Sequence, residues 1–348
     1  MRWLLVSALL AGLGLGIARL WPADSAVAGS AIRPLSAVCE VPATMSAGLS
    51  AGVPAGVSAT SAEAAMVWVP AGSFTMGAEY TYREEGPAHQ ETVAGFWMDQ
   101  TEVTNARFAA FVEATGYVTL AERGISNPAD PAAPPVPGSA VFVPPDPEAG
   151  FDPFLSWWQF APGADWRHPQ GPDSSLAGLE QHPVVQVAYE DAVAYAAWLG
   201  HTLPTEAQFE LAAQGTSRED ASGAWISNTW QGFFPMQNDG TDGYLGSAPV
   251  GCYTANPLGL YDLIGNVWEW TGSPYYFGHD FPAMSDYPEG YDPNQPGEPV
   301  AVIKGGSYLC AANYCMRYRP EARQGQSKGL GTSHIGFRTV LVPSAVAD

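Results

Sequence analysis

The sequence predicts a single irregular domain of the α+β class, low in regular secondary structure. Three observations point there. Glycine and proline are abundant, at 38 and 31 of 348 residues, which favours a loop-rich globular chain over a helical bundle. Aromatic residues are plentiful too, with 12 Trp, 15 Tyr and 14 Phe. Short strand-like runs bounded by turn residues alternate with a few brief amphipathic helices. A chain of this length buries a large core and has room for two domains or one elaborate one. Its net charge of −21 argues against a nucleic-acid partner, because phosphate binding needs a basic surface. The acidity suits bound Ca2+ or a basic peptide, and solubility alone accounts for it as well.

Taken in order, the chain opens with an address. Arg2 precedes an apolar run from Trp3 to Ile17, and Ala26-Val27-Ala28 offers a small-residue cleavage site. Residues 1–28 therefore read as an export signal, with a short uncleaved anchor as the alternative. The run falls short of the roughly 20 residues a membrane span needs. Export places the protein in the periplasm or outside the cell, free or tethered by its N-terminus. Such a compartment is oxidising, so Cys39 and Cys252 can pair or stay free. Residues 29–65 are mostly Ala, Gly, Ser, Val and Pro and read as a flexible tether. Cys39 falls in that stretch, which argues against a structural role for it.

The folded domain is expected over residues 66–342, with 343–348 as a tail. Met66 to Gly77 reads as a strand, a turn and a second short strand, and Phe96 to Asp99 as another strand. Thr101 to Asn105 caps a helix that carries Phe108, Phe111 and Val112 on one face. Residues Asn127 to Pro153 are rich in Pro, Ala and Asp and predict a long surface excursion. His182 to Val187 reads as a strand. Glu190 to Leu199 reads as an amphipathic helix with Ala192, Tyr195, Ala196 and Leu199 on one stripe. Leu203 to Glu210 starts a further helix, N-capped by Thr205. Ser333 to Val340 is expected to be a last core strand.

Candidate chemistry centres on Lys304 to Arg319, which holds Cys310 and Cys315, five residues apart. On a helix that offset leaves the thiols about 140° apart, and on a strand it puts them on opposite faces. If the sulfurs converge, a turn brings them together. A plain structural disulfide fits the spacing equally well. The six histidines show no i, i+4 pair, and one cysteine pair supplies too few ligands for zinc, whereas two soft thiolates select copper(I). Asn238-Asp239-Gly240-Thr241-Asp242-Gly243 is a short acidic turn, open to a hard cation or to ordinary Asx-turn bonding. Arg317, Arg319 and Arg323 are expected to pair with buried carboxylates and hold the cysteine loop.

The run Gly305-Gly306-Ser307-Tyr308 through Tyr314-Cys315 resembles the active-site segment of formylglycine-generating enzymes, the sulfatase-modifying oxidases. Gly163-Ala164-Asp165-Trp166-Arg167-His168-Pro169 and Gly259 to Trp270 resemble further blocks of that family, and the likeness runs from about Met66 to Val342. It implies a fold resembling the C-type lectin architecture. It also implies a post-translational oxidase in which Cys310 and Cys315 are catalytic and hold copper(I). An unfolded sulfatase segment of Cys-x-Pro-x-Arg type would supply its own cysteine. Hydrogen removal from the substrate Cβ would give a thioaldehyde that hydrolyses to formylglycine, with O2 as oxidant and an external thiol as reductant. The resemblance implies that Ser307 hydrogen-bonds near the substrate sulfur, and that Trp268 and Tyr314 flank the substrate. It assigns one Ca2+ to Asn228, the Thr229 carbonyl, Asp242 and the Tyr244 carbonyl. A second Ca2+ falls to Asp262, the carbonyls of Gly265 and Val267, and Glu269. A monomer is expected. The rival readings are a non-catalytic binding module of the same superfamily with a Cys310–Cys315 disulfide, and a dithiol redox protein.

Overall fold

The computed structural model describes residues 39, 66–79, 81–126, 132–145, 157–281, 286 and 289–343. The export signal, all of the tether except Cys39, and nearly all of the tail lie outside these residues. The mixed α+β class holds: short strands and a few helices hang on long stretches of irregular backbone. Among the described residues no helix is long and apolar enough to cross a membrane.

Strands β1 (Met66–Val69) and β2 (Gly72–Met76) form where the pattern placed them. β2 pairs with β3 (His89–Val93), a strand the pattern did not reveal, because its polar residues alternate with few apolar ones. β4 (Phe96–Asp99) runs antiparallel to β1. Helix α1 (Asn105–Thr115) starts where the Thr104 hydroxyl accepts the Arg107 N–H at 3.2 Å and stops at Gly116, which adopts φ 66°. It buries Phe108, Phe111 and Val112, as expected. A short α2 (Leu120–Arg123) follows, closed by a reciprocal Thr119–Glu122 capping box.

Two expectations need correction here. The excursion over 127–153 is interrupted by β5 (Gly138–Phe142), which pairs with β6 (Trp158–Pro162) and buries Ser139, Val141 and Phe142. Its flanking prolines disguised a core strand; residues 127–131 and 146–156 lie outside the described set. His182–Val187 is not a strand either. It crosses the core extended but without a ladder, giving the Val184 N–H to Val103 and the Gln186 N–H to Thr332. Gln186 then turns at φ 61° and donates its side-chain amide to the Pro169 carbonyl at 2.7 Å.

Helix α3 (Tyr189–Trp198) buries Ala192, Tyr195 and Ala196. Helix α4 (Glu206–Ala213) carries the Thr205 cap, completed by Gln208. The largest sheet has the order β10-β7-β8-β9, from β7 (Trp268–Pro274), β8 (Val300–Lys304), β9 (Arg323–Ser327) and β10 (Ile335–Gly336). β11 (Val340–Leu341) joins β4 in the three-stranded sheet β1-β4-β11. The expected last strand over 333–340 is thus two short pieces serving different sheets. Arg338 lies between them, its buried guanidinium reaching both oxygens of Glu269, each at 2.7 Å.

The Cys39 expectation is also overturned, since Cys39 forms a disulfide with Cys252. Buried ion pairs take over where regular structure is thin. Arg323 holds Glu206 at 2.6 and 3.0 Å, and Lys304 holds Glu210 at 2.8 Å, tying β8 and β9 to α4. The main apolar core gathers α1, α3, β7, β8 and β10 around Phe108, Tyr195, Trp268, Trp270 and Phe337. Cys310 and Cys315 sit in that same core.

Candidate active site

The cysteine segment leaves the sheet at Lys304, the last residue of β8. Gly305 and Gly306 follow at φ 92° and 75°. A Cβ on Gly306 would stand 2.5 Å from the Arg317 carbonyl and 3.3 Å from the Cys310 sulfur, so only glycine lets the chain double back here. A first turn closes when the Cys310 N–H donates to the Ser307 carbonyl at 2.8 Å. A second closes when the Cys315 N–H donates to Ala311 at 2.9 Å. Two turns in succession do what neither helix nor strand can: the sulfurs face each other at 3.0 Å. Both thiols are free and buried.

The loop is pinned from outside. Tyr308 N–H donates to the Asn266 carbonyl at 2.9 Å, Gly265 N–H to Gly305 at 2.9 Å, and Trp230 N–H to Cys310 at 3.1 Å. The two segments singled out for calcium therefore touch the cysteine loop directly.

The thiols are electrostatically unequal. Burial pushes Cys310 well above the ordinary thiol range, and its neighbour Cys315 pushes it further. Cys315 moves the other way, to about 7. The hydrogen bond from Cys310 is the main cause; burial opposes it and the Arg317 guanidinium assists. The two sulfurs titrate as a pair, with Cys315 the one favoured as thiolate by the bond to Cys310 and by Arg317. Arg317 Nη1 lies 4.0 Å from the Cys315 sulfur, and the guanidinium stacks 3.9 Å over the Tyr82 ring and pairs with Glu84. Arg319 pairs with Glu85 at 2.6 Å. Arg317 and Arg319 tie the loop to Glu84 and Glu85, over 230 residues upstream, Arg319 also pairs with nearby Glu321, and Arg323 pairs with Glu206 of α4.

Ser307 is buried, and its hydroxyl accepts the Leu309 N–H at 3.2 Å. Its N–H approaches the Cys310 sulfur at 3.4 Å. Trp268 is buried in the same apolar core as the thiols, so it presents no face to solvent. Tyr314 is 53% exposed, and its ring stacks on Phe234 at 4.4 Å. His334 bonds Thr332 Oγ1 at 2.8 Å and packs on Trp158, and burial depresses its pKa to about 3. In the Trp-Arg-His-Pro block, Trp166 enters the core and Arg167 stacks on it while reaching Glu122.

Of the first expected cation set, Thr229 and Tyr244 meet Asp242 through their N–H groups. Asp242 Oδ2 accepts the Thr229 N–H at 3.0 Å, and Asp242 Oδ1 accepts the Tyr244 N–H at 3.1 Å. Asn228 Oδ1 is buried with no hydrogen-bond partner, as an oxygen awaiting a cation would be. Gln231, which the sequence reading passed over, reaches Asp242 at 2.7 Å and contacts the Thr229 carbonyl. The second set fits less well. Arg338 takes both oxygens of Glu269, and Asp262 Oδ2 accepts the Gly251 N–H at 2.6 Å. Beside them stands Glu102, also missed: it is fully buried, it accepts Asn266 Nδ2 at 3.0 Å, and its second oxygen has no hydrogen-bond partner. Among the described residues, no three His, Cys, Asp or Glu side chains converge as a ready-made metal centre. Two facing thiols, one of them ionised near neutrality, are a donor set suited to a soft monovalent ion.

The family described as the sulfatase-modifying factor enzyme 1-like domain matches residues 53–342. The formylglycine-generating enzyme of Mycobacterium tuberculosis is 47% identical, the match covering 80% of this chain and 98% of that protein. The formylglycine-generating enzyme of Mus musculus is 38% identical, with 81% and 76% covered. The inactive C-alpha-formylglycine-generating enzyme 2 of Mus musculus is 35% identical, with 79% and 84% covered.

Proposed function

Because the chain belongs to the sulfatase-modifying factor enzyme 1-like family, we propose that it is an oxidoreductase converting a sulfatase cysteine to formylglycine. Family membership alone does not decide this, since a relative named as inactive is also similar. The observation that carries the reading is the pair of free, buried thiols 3.0 Å apart at the end of a doubly turned loop.

In this reading Cys310 and Cys315 hold copper(I), which when bound supplies the redox chemistry toward O2. Cys315 enters loading as the thiolate, and Arg317 offsets its charge. The single proton on Cys310 is the one that loading must displace. Ser307 keeps the first turn closed, so the two sulfurs stay aimed at one point. Tyr314 offers an exposed aromatic face to the arriving polypeptide, of Cys-x-Pro-x-Arg type. The electron count requires a co-reactant. The thiol-bearing side chain of the client cysteine gives up two electrons on becoming an aldehyde with release of hydrogen sulfide, while O2 takes four. The other two come from an external thiol, oxidised to its disulfide.

Asn228, Asp242 and the carbonyls of Thr229 and Tyr244 hold a structural Ca2+ in this reading, with the unpartnered Asn228 oxygen as its support. The enzyme acts as a monomer in an exported compartment, where the Cys39–Cys252 disulfide would persist. The test is copper(I) titration of the reduced protein together with a peptide assay. About one copper per chain and an aldehyde trapped by hydrazine are expected, and both should vanish in Cys310→Ser and Cys315→Ser. A non-catalytic module would bind no copper and make no aldehyde.

A further inference from the structure

Resting on that reading, we propose that Phe233 is a specificity determinant: its ring forms an apolar shelf beside the thiol pair for a large apolar side chain of the client segment. Phe233 is the most exposed large apolar residue among those described, at 62%. Single surface hydrophobics are ordinary and need no explanation. Phe233 differs because its position is fixed relative to Cys315. The next residue, Phe234, is buried, and its N–H donates to Asn313 Oδ1 at 3.2 Å. Asn313 Nδ2 donates back to the Phe234 carbonyl at 3.0 Å. The Phe234 ring then stacks on Tyr314 at an interplanar angle of 14°.

The loop is rigid on its other side as well. The N–H groups of Met236 and Gln237 both donate to the Phe233 carbonyl at 2.9 Å. Trp230 Nε1 donates to the Gln237 carbonyl at 2.8 Å. A loop stitched to the catalytic segment thus holds a phenyl ring in water, one residue from Phe234, whose own ring stacks on the half-exposed Tyr314. From Trp230 to Gln237 the loop carries no charge, within a chain of net charge −21. An uncharged run bonded through Phe234 to Asn313 and Tyr314, which directly precede Cys315, suits an extended peptide with an apolar residue near its cysteine. It disfavours one with a carboxylate there.

Client peptides differing only in the residues flanking the cysteine (Leu, Ser or Asp on either side) would be assayed with the full protein, Phe233→Ser and Phe233→Leu. Binding of matched peptides with serine in place of the cysteine gives a second readout. For wild type, Leu-to-Asp on one flank should raise KM and Kd about tenfold with kcat unchanged, the scale expected for partly burying one large apolar side chain. The preference should collapse in Phe233→Ser and persist in Phe233→Leu. An equal preference in wild type and Phe233→Ser overturns the proposal. If wild type makes no aldehyde from any peptide, the functional reading falls, while binding of the serine peptides still decides the shelf.

Discussion

The backbone N–H of Trp230 donates to the carbonyl of Cys310 at 3.1 Å, so the strip bearing Asn228 and Thr229 is bonded directly to the first cysteine of the facing pair. If that strip holds Ca2+, removing the ion should loosen the thiol loop. Chelation should lower the melting temperature, and Ca2+ at a hundredfold excess over its Kd should restore about 2.7 kcal/mol. Asn228→Leu should abolish the calcium response in calorimetry while leaving a folded protein.

The unequal thiols predict a two-step alkylation profile in the copper-free, reduced protein. Cys315 should be modified with a midpoint near pH 7, and Cys310 only well above the ordinary thiol range. The thiolate is the reactive form, so below its midpoint the Cys315 rate should fall about tenfold per pH unit. Arg317→Gln removes a positive charge 4.0 Å from the sulfur and should move that midpoint upward, read by mass spectrometry of the quenched reaction.

Glu206 is a stability test with a defined sign. Burial opposes its charge, but Arg323, His279 and Lys304 together hold its pKa below the usual carboxylate range. Its contribution is therefore complete above the unfolded carboxylate pKa and drains away as pH falls toward the lower folded value. Glu206→Gln should cost about 3–5 kcal/mol at pH 7, since it strands Arg323. The gap from wild type in urea unfolding should narrow between about pH 5 and pH 2.

The Cys39–Cys252 disulfide closes a separation of 213 residues. Cys252→Ser should lower stability by about 2–4 kcal/mol, and mild reductant should do the same to wild type. Peptide mapping under non-reducing conditions should recover the 39–252 linkage with Cys310 and Cys315 unlinked.

Wherever bonding is local, the elements were legible in the chain. Thr104 and Thr205 announce helices because their hydroxyls cap N–H groups three residues on. Phe108, Phe111 and Val112 declare a buried face by spacing alone. β3, β5 and the ladderless pass at 182–187 were not legible, because distant partners decide them. Ser139 is buried through a bond to Gly331, and Gln186 through one to Thr332. Glu102 and Gln231 escaped notice for the same reason: nothing near them in sequence marks their neighbours Asn266 and Asp242.

The chain by itself determined that Cys310 and Cys315 need a turn in order to meet, since an offset of five suits no regular element. Where the backbone reverses, at Gly305 and Gly306 with φ 92° and 75°, was decided in the structure. Tertiary structure decided which thiol ionises. The bond between the two sulfurs lowers Cys315, burial raises Cys310, and Arg317, which Glu84 and Tyr82 hold from far upstream, lowers Cys315 further. Folding also paired Cys39 with Cys252 and gave Glu269 to Arg338, because a charge or sulfur takes the partner that packing brings within reach.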